Sequence, residues 1–317
     1  MRRAHAGGTR IYGNPEPALG LRTGIGILTG RQPIRRKNGV LASRLTNLIS
    51  LYMSPQSEQV QSLVMRAGEE ELLPRFEQVD HHIKADGSIL TEADLAIQKR
   101  LRTELKKNWP DVAFLSEEMP PAQQAALLRE LDRPLWCLDP LDGTSNFAAG
   151  LPCFGISLAL LARGEPVLGI IYDPTRRECF RADKGAGAWL NGRRLHSPPA
   201  RESLELTVGM VDFKRLPPRL ARKLVDDPPY ASQRNFGSSA LEWAWVAAGR
   251  GHVYLHGGQK VWDFAAGSLI LSEAGGFSCT LDNEPVFKPT LAPRSVVAAS
   301  GDHIFRSWRE WLTAPPS

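Results

Sequence analysis

Apolar positions between Glu58 and Phe76 recur at helical spacing: Val60, Leu63, Val64, Ala67, Leu72 and Leu73, with a stop at Pro74. That rhythm predicts a helix with one buried face. Val79 to Lys84 is too short for a helix and predicts a strand, followed by a turn at Asp86-Gly87. Thr91 then opens a second helix, in which Ile97, Leu101 and Leu105 lie four apart and Pro110 ends the run. Val112–Leu115 and Leu135–Leu138 predict two short strands, each delivering acidic residues at its end. The run from Phe154 to Ala162 is the longest apolar stretch and predicts a strand buried on both faces. Val167–Tyr172, Glu178–Ala182 and Ala188–Leu190 succeed it across short turns, which is the pattern of an antiparallel meander.

After Pro198-Pro199 the rhythm changes to alternating elements. Strands are expected at Leu206–Val211, His252–Leu255, Phe277–Thr280 and Val296–Ala299. Helices are expected at Pro217–Val225, Ser239–Ala248, Phe264–Ala274 and 302–313. The whole predicts a layered α+β fold, with an antiparallel half over about 54–198 and an α/β half over about 199–317.

Composition changes this picture in one respect. The 317 residues carry a formal net charge of +5, which on its own points to a polyanionic partner. Residues 1–53, however, hold nine basic residues against one acid, Glu16, so 54–317 carry a net −3. The positive charge belongs to a leader rich in Gly, Arg and Pro, and a nucleic-acid partner for the body is disfavoured. Three readings of 1–53 stand: a disordered tail, an organellar presequence, or sequence upstream of a start at Met53. The last is preferred because the first convincing helix begins just beyond Met53. Cys137, Cys153, Cys179 and Cys279 lie far apart, against a disulfide framework or a zinc site and in favour of a reducing cytoplasm. No apolar run approaches the roughly 18 residues of a membrane helix.

Four segments put carboxylates where a fold exposes them: 86–94, 116–118, 139–144 and 262–263. In the third, Asp139 ends a strand, Pro140 stiffens the turn, and Asp142 follows three residues later. Two carboxylates so placed, with the Leu141 carbonyl between them, suit a hard divalent cation. Gly143 and Thr144 then open backbone N–H groups like a helix N-terminus, a seat for phosphate. Plainer readings exist for each. Asp139 and Asp142 can cap a turn, Asp263 can be a helix N-cap, Glu117 and Glu118 can be surface charge, and Asp94 can complete a capping box with Thr91.

Together, WCLDPLDGTSNF (136–147), WDFAAGSLILSEAGG (262–276), LSEE (115–118) and DGSILTEAD (86–94) resemble the inositol monophosphatase family, from about Gln56 to the C-terminus. The resemblance implies an α/β/α/β/α sandwich of the sugar-phosphatase type, a homodimer, and hydrolysis of a small phosphorylated metabolite with two or three Mg²⁺ ions per site. It implies Glu117, Asp139, Leu141, Asp142 and Asp263 as metal ligands. Glu117, Thr144 and Asp94 would activate water, and Gly143, Thr144 and Ser145 would hold the phosphate. Ser239 and His256 fall where the family contacts the rest of the substrate.

The chain departs from the family pattern at Ser116, where Gly is usual, and at His256, where inositol-preferring members carry Glu. The second departure weakens the inositol assignment specifically and leaves the phosphatase chemistry untouched: myo-inositol monophosphate is the first expectation, and a 3′-phosphoadenosine nucleotide or fructose 1,6-bisphosphate stay open as alternatives in the same chemistry. A non-catalytic binding homologue is the alternative of another class. Lys260 is a candidate for a second phosphate, and Trp243 and Trp245 are expected in core or dimer packing.

Overall fold

The computed structural model describes residues 55–76, 81–83, 89–130, 132–196 and 203–315. The basic leader, the Asp86-Gly87 turn and the Pro198-Pro199 boundary lie outside them. Helix α1 (Pro55–Ala67) forms where the apolar period places it, then tightens through one wide turn (Gly68–Leu72) and a 3₁₀ turn (Leu73–Arg75) that admits Pro74. β1 (His81–Ile83) and β2 (Ile89–Thr91) pair antiparallel and lead into α2 (Glu92–Asn108).

A seven-stranded sheet follows: β3 (Ala113–Ser116), β4 (Leu135–Asp142), β5 (Gly155–Ala162), β6 (Glu165–Asp173), β7 (Glu178–Asp183), β8 (Gly187–Leu190) and β9 (Arg193–Arg194), neighbours in that order. Only β3 and β4 are parallel, which the short α3 (Pro121–Leu127) between them permits; the rest is the expected meander. Between β4 and β5 sits α4 (Thr144–Ala148).

The second half holds β10 (Val208–Asp212), α5 (Pro218–Asp226), β11 (Ser232–Arg234), α6 (Ser239–Ala247), β12 (Val253–Gln259), α7 (Val261–Glu273), β13 (Phe277–Cys279), β14 (Arg294–Ala299) and α8 (Asp302–Thr313). Its five strands run in the order β11-β10-β12-β14-β13, parallel at β11-β10-β12 and antiparallel beyond.

Period-2 alternation along the strands sorts side chains into three cores. Trp136, Leu138, Leu158 and Ile170 face Val64, Ile97 and Leu101 of α1 and α2. The opposite face of that sheet, with Cys137, Ala159 and Ile171, meets Trp243 and Val246 of α6 and Phe264 and Ile270 of α7. Met210, Tyr254 and Val296 of the five-stranded sheet close the same core from its far side. Val211, Leu255 and Val297 pack outward on Leu224 of α5 and Trp308 of α8. The result is the α/β/α/β/α sandwich, with α6 and α7 as its middle layer and Trp243 and Trp245 as core. No helix among the described residues is long and apolar enough to cross a membrane.

Several boundaries differ from the expectation. The strand expected at Leu135–Leu138 runs on to Asp142, because the chain bulges between Asp139 and Asp142 rather than turning away. Leu204–Leu206 is a 3₁₀ turn, closed by the Thr207 hydroxyl donating to the Leu204 carbonyl, so β10 starts two residues late. The strand expected at His252–Leu255 continues to Gln259, which puts His256 inside it instead of at its exit. The helix expected from Phe264 begins at Val261. Asp263 is thus its third residue and not its N-cap. Its carboxylate accepts the Lys260 N–H at 2.8 Å, and this one-sided cap starts the helix at a lysine, a residue with no N-cap signature.

Candidate active site

β4 carries the centre of the site. Asp139 lies on the face turned to the middle helical layer, two residues after Cys137, and pairs with Ser157 across the sheet. Pro140 has no N–H for the ladder, and the Leu141 N–H turns back to the Asp139 carboxylate at 3.1 Å. Gly143 then takes φ +89°, and a Cβ there would stand 2.8 Å from the Cys153 carbonyl oxygen, so this junction into α4 accepts only glycine. Thr144 Oγ1 donates to the Leu141 carbonyl at 2.8 Å and reaches Asp94 Oδ1 at 3.4 Å. The other oxygen of Asp94 accepts from the Thr91 N–H (2.8 Å) and hydroxyl (2.6 Å). Asp94 therefore caps α2 with one oxygen and faces Thr144 with the other.

The second half closes on this strand end. Ser157 Oγ donates to the Trp262 carbonyl at 3.0 Å, tying the first turn of α7 and its Asp263 to β5 beside Asp139. Asp142 Oδ2 accepts from the Ser238 hydroxyl and from the N–H of Ala240 at 2.7 Å, so a first-half carboxylate sits on the positive end of α6. Glu117 follows β3, and Gln124 of α3 braces that segment by donating to the carbonyls of Ser116 (2.9 Å) and Glu117 (2.8 Å). The Ser116 hydroxyl itself is buried with no hydrogen-bond partner among the described residues.

Electrostatics report the convergence. Burial pushes the Asp139 carboxyl well above the usual range, and the charges of Glu117, Asp142, Asp263 and Asp94 push it further. Asp142 is pushed up to about 6, chiefly by burial, against the lowering hydrogen bonds from Ser238 and Ala240. Asp263 is raised by burial and by Asp142 and Glu117, and is lowered by the Lys260 N–H and the Arg215 charge. Burial also keeps the Cys137 thiol protonated, so it is no nucleophile. Among the described residues no group of three or more His, Cys, Asp and Glu side chains is gathered closely enough to hold a metal ion as it stands. The donor set nevertheless fits one kind of partner. Several buried, mutually repelling carboxylates with only oxygen atoms to offer match a hard divalent cation and no soft metal.

His256 and Ser239 sit on the second-half side. His256 Nε2 lies 3.1 Å from Asp212 Oδ2, its register partner on β10, and its Nδ1 accepts the Gly258 N–H at 3.1 Å. Nε2 therefore carries the proton that faces Asp212. Ser239 offers its N–H to Asp142 and its hydroxyl to Tyr254. Ser145 is exposed, and Gly143 and Thr144 are half-buried beside it on the first turn of α4. Lys260 Nζ donates to the Leu291 carbonyl at 2.9 Å, which makes it a loop brace. Sequence reasoning passed over Ser238, Asp212 and Arg215. Only Ser238 carried a local signal, as a serine just ahead of a helix.

Comparison with known proteins identifies the family and the fold. The inositol monophosphatase family model matches residues 55–314. Over 208 residues the chain is 38% identical to a protein named Nus factor SuhB from Xylella fastidiosa, covering 64% of this chain and 71% of that relative. It is 35% identical over 209 residues to an inositol-1-monophosphatase from Mesorhizobium japonicum, covering 63% and 75%. The solved structure of an IMPase from Thermotoga maritima superposes with a TM-score of 0.70 at 28% identity, covering 82% of this chain and 98% of that one.

Proposed function

This chain belongs to the inositol monophosphatase family, and we propose that it is a magnesium-dependent phosphomonoesterase whose first substrate is myo-inositol monophosphate. The observation that carries the proposal is the meeting of Glu117, Asp139, Asp142 and Asp263 beside the Thr144–Asp94 pair. Those four carboxylates and the Leu141 carbonyl are the groups that would hold Mg²⁺. Bound there, the ions would supply Lewis-acid activation of water and neutralise charge on the leaving oxygen.

The remaining work falls to the chain itself. The Thr144 hydroxyl has one proton and two acceptors for it, the Leu141 carbonyl at 2.8 Å and Asp94 Oδ1 at 3.4 Å, which leaves its lone pairs to accept from an attacking water. Thr91 holds Asp94 so that its Oδ1 faces that hydroxyl. Glu117 takes the water's proton as general base. The N–H groups of Gly143, Thr144 and Ser145 have no partner within their own helix turn and donate to the phosphoryl oxygens. On the family resemblance we extend the proposal to a cytoplasmic homodimer.

Phosphate release from myo-inositol 1-phosphate, 3′-phosphoadenosine 5′-phosphate and fructose 1,6-bisphosphate, with and without Mg²⁺, tests the proposal. Turnover that needs Mg²⁺ and is lost in Asp142→Asn is expected; metal-independent turnover sinks it. A second reading, a binding or regulatory role without catalysis, is favoured by the name Nus factor carried by the Xylella fastidiosa relative. It predicts no phosphate release from any ester.

A further inference from the structure

Just beyond Asp142 the first half reaches into the second once more. Asn146, on the short helix α4, donates through Nδ2 to the Phe236 carbonyl at 2.6 Å and to the Cys153 carbonyl at 2.7 Å. Both N–H groups of that nitrogen are spent on main-chain oxygens, which the amide oxygen could not satisfy. The Cys153 bond fixes the side chain within its own half, since the same carbonyl stands against Gly143 and lies just ahead of β5. The Phe236 bond is the one that crosses. There the loop lies directly on the amide: Gly237 takes φ +70°, and a Cβ on it would stand 3.2 Å from Asn146 Nδ2.

Phe236 is also held from its own side. Its N–H donates to Glu242 Oε1 at 2.7 Å, a buried carboxyl of α6, and its ring packs edge-on against Trp245 at 4.9 Å. Glu242 and Trp245 both belong to α6, so these contacts fold the loop back on the helix that it leads into and leave the carbonyl for the other half. Ser238 then caps α6, accepting the Leu241 N–H and donating to Asp142 Oδ2, which also accepts the Ala240 N–H at 2.7 Å. The stretch 236–240 is thus pinned to 142–146 both at Asp142 and at Asn146. The contact at Asp142 fixes where the start of α6 touches that carboxylate. The contact at Asn146 removes rotation about it, and the angle so fixed orients the carboxylate, as outer hydrogen bonds orient a metal ligand.

We propose that Asn146 is a positioning residue: through the Phe236 carbonyl it sets the start of α6 on Asp142, so that this carboxylate is oriented before a metal binds. The metal half of the proposal rests on the reading of Asp142 as a Mg²⁺ ligand, and the placement of α6 stands apart from it.

Two measurements on the full chain test it with Asn146→Leu, which keeps the bulk and loses both donors. Asn146→Ala serves as the second variant should the first not fold. Calorimetric titration with Mg²⁺ alone should show binding weakened about tenfold, the lower end of what losing an outer hydrogen-bond partner costs a metal site. Hydrogen exchange of the metal-free protein should quicken in peptides covering 236–241 and keep the wild-type rate in α8. A residue that merely adds stability would speed exchange throughout the molecule and leave Mg²⁺ affinity alone. Unchanged exchange at 236–241 overturns the proposal, and so does wild-type Mg²⁺ affinity in the variant. If the wild-type chain itself binds no Mg²⁺, the metal reading fails and exchange alone decides the role of Asn146. Faster exchange confined to 236–241 then upholds the placement of α6 by Asn146, and equal or general acceleration overturns it.

Discussion

The two sheets share the middle helices α6 and α7 but bring opposite chemistry to the place where they meet. The seven-stranded half supplies Glu117, Asp139 and Asp142 at the ends of β3 and β4, each raising the pKa of a neighbour. Within that half, little offsets the repulsion. The five-stranded half adds one carboxylate, Asp263, and otherwise donors or cations: the Ser238 hydroxyl and Ala240 N–H on Asp142, the Lys260 N–H on Asp263, and Arg215 nearby. One half concentrates negative charge and the other makes it tolerable. The proposed cation site lies at their junction, where buried carboxylates find compensating dipoles without losing their ligand atoms.

The strongest way to break that comparison is Asp139→Asn. Turnover should fall on the order of 10³-fold, the cost of removing a group that acts on transition-state charge. Metal-free protein should at the same time become more stable at pH 8. The sign follows from the raised carboxyls of Asp139 and Asp142: the folded state holds protons that the unfolded chain has released. Stability contributed by the protonated forms is present below the unfolded value of about 4. It is lost as pH rises through the folded value, which for Asp142 is about 6. In EDTA, wild-type Tm should therefore decline between pH 4 and 7, and Asp139→Asn should decline less. Each kcal/mol regained moves Tm by roughly 2–4 °C in a domain of this size. A variant no more stable than wild type at pH 8 removes the claim that this half stores repulsion.

The same division explains what could be read from the chain alone. The nine residues from Trp136 to Thr144 compress a buried strand, a bulge and a helix start, so their chemistry is local and visible. The Thr91–Asp94 box and the period of α2 are local too. By contrast, Ser238 meets Asp142 across 96 residues, and His256 meets Asp212 only because β10 and β12 pair in one register. No periodicity encodes that register. α4 and β11, of 5 and 3 residues, are shorter than any window in which a period can be counted. The early start of α7 was hidden because its cap is a backbone N–H on a carboxylate, with Lys260 contributing nothing a lysine is known for.

Two glycine substitutions sharpen the contrast between halves. Gly257→Ala drives a Cβ into the Arg215 carbonyl, backbone against backbone, which no rotamer can relieve. Gly143→Ala meets the Cys153 carbonyl and an unfavourable φ of +89°. Each should cost about 1–3 kcal/mol by overpacking and strain, seen as a lower denaturant midpoint at unchanged slope. Their kinetic signatures should differ. Gly143→Ala displaces the amides proposed to hold the phosphate and should lower kcat, whereas Gly257→Ala displaces the strand that carries His256 and should raise KM. Identical signatures would mean that the halves do not divide chemistry from recognition.

The smallest effect, Asp212→Asn, tests the comparison by sign. Asn keeps an acceptor for the Lys214 N–H but turns an amide donor toward the Nε2–H of His256, so the ring loses its partner. Since Asp212 is half-buried, KM should rise only about threefold, within the range of a solvent-screened contact, while kcat stays close to wild type. Its carboxyl is held below the usual range, first by the hydrogen bond from His256. The stability it contributes is present above about pH 4 and disappears as pH falls through its lowered value. Acidification should therefore destabilise the Asn variant less than wild type, the opposite slope to the one Asp139 imposes as pH rises. In Tm profiles from pH 2.5 to 8, Asp139→Asn should rise above wild type as pH increases past about 4, whereas Asp212→Asn should lie below wild type at neutral pH and converge with it on acidification below about 4. Differences of the same sign at pH 8 would show that both acids sit in one common field, and that the division between a repelling half and a compensating half is wrong.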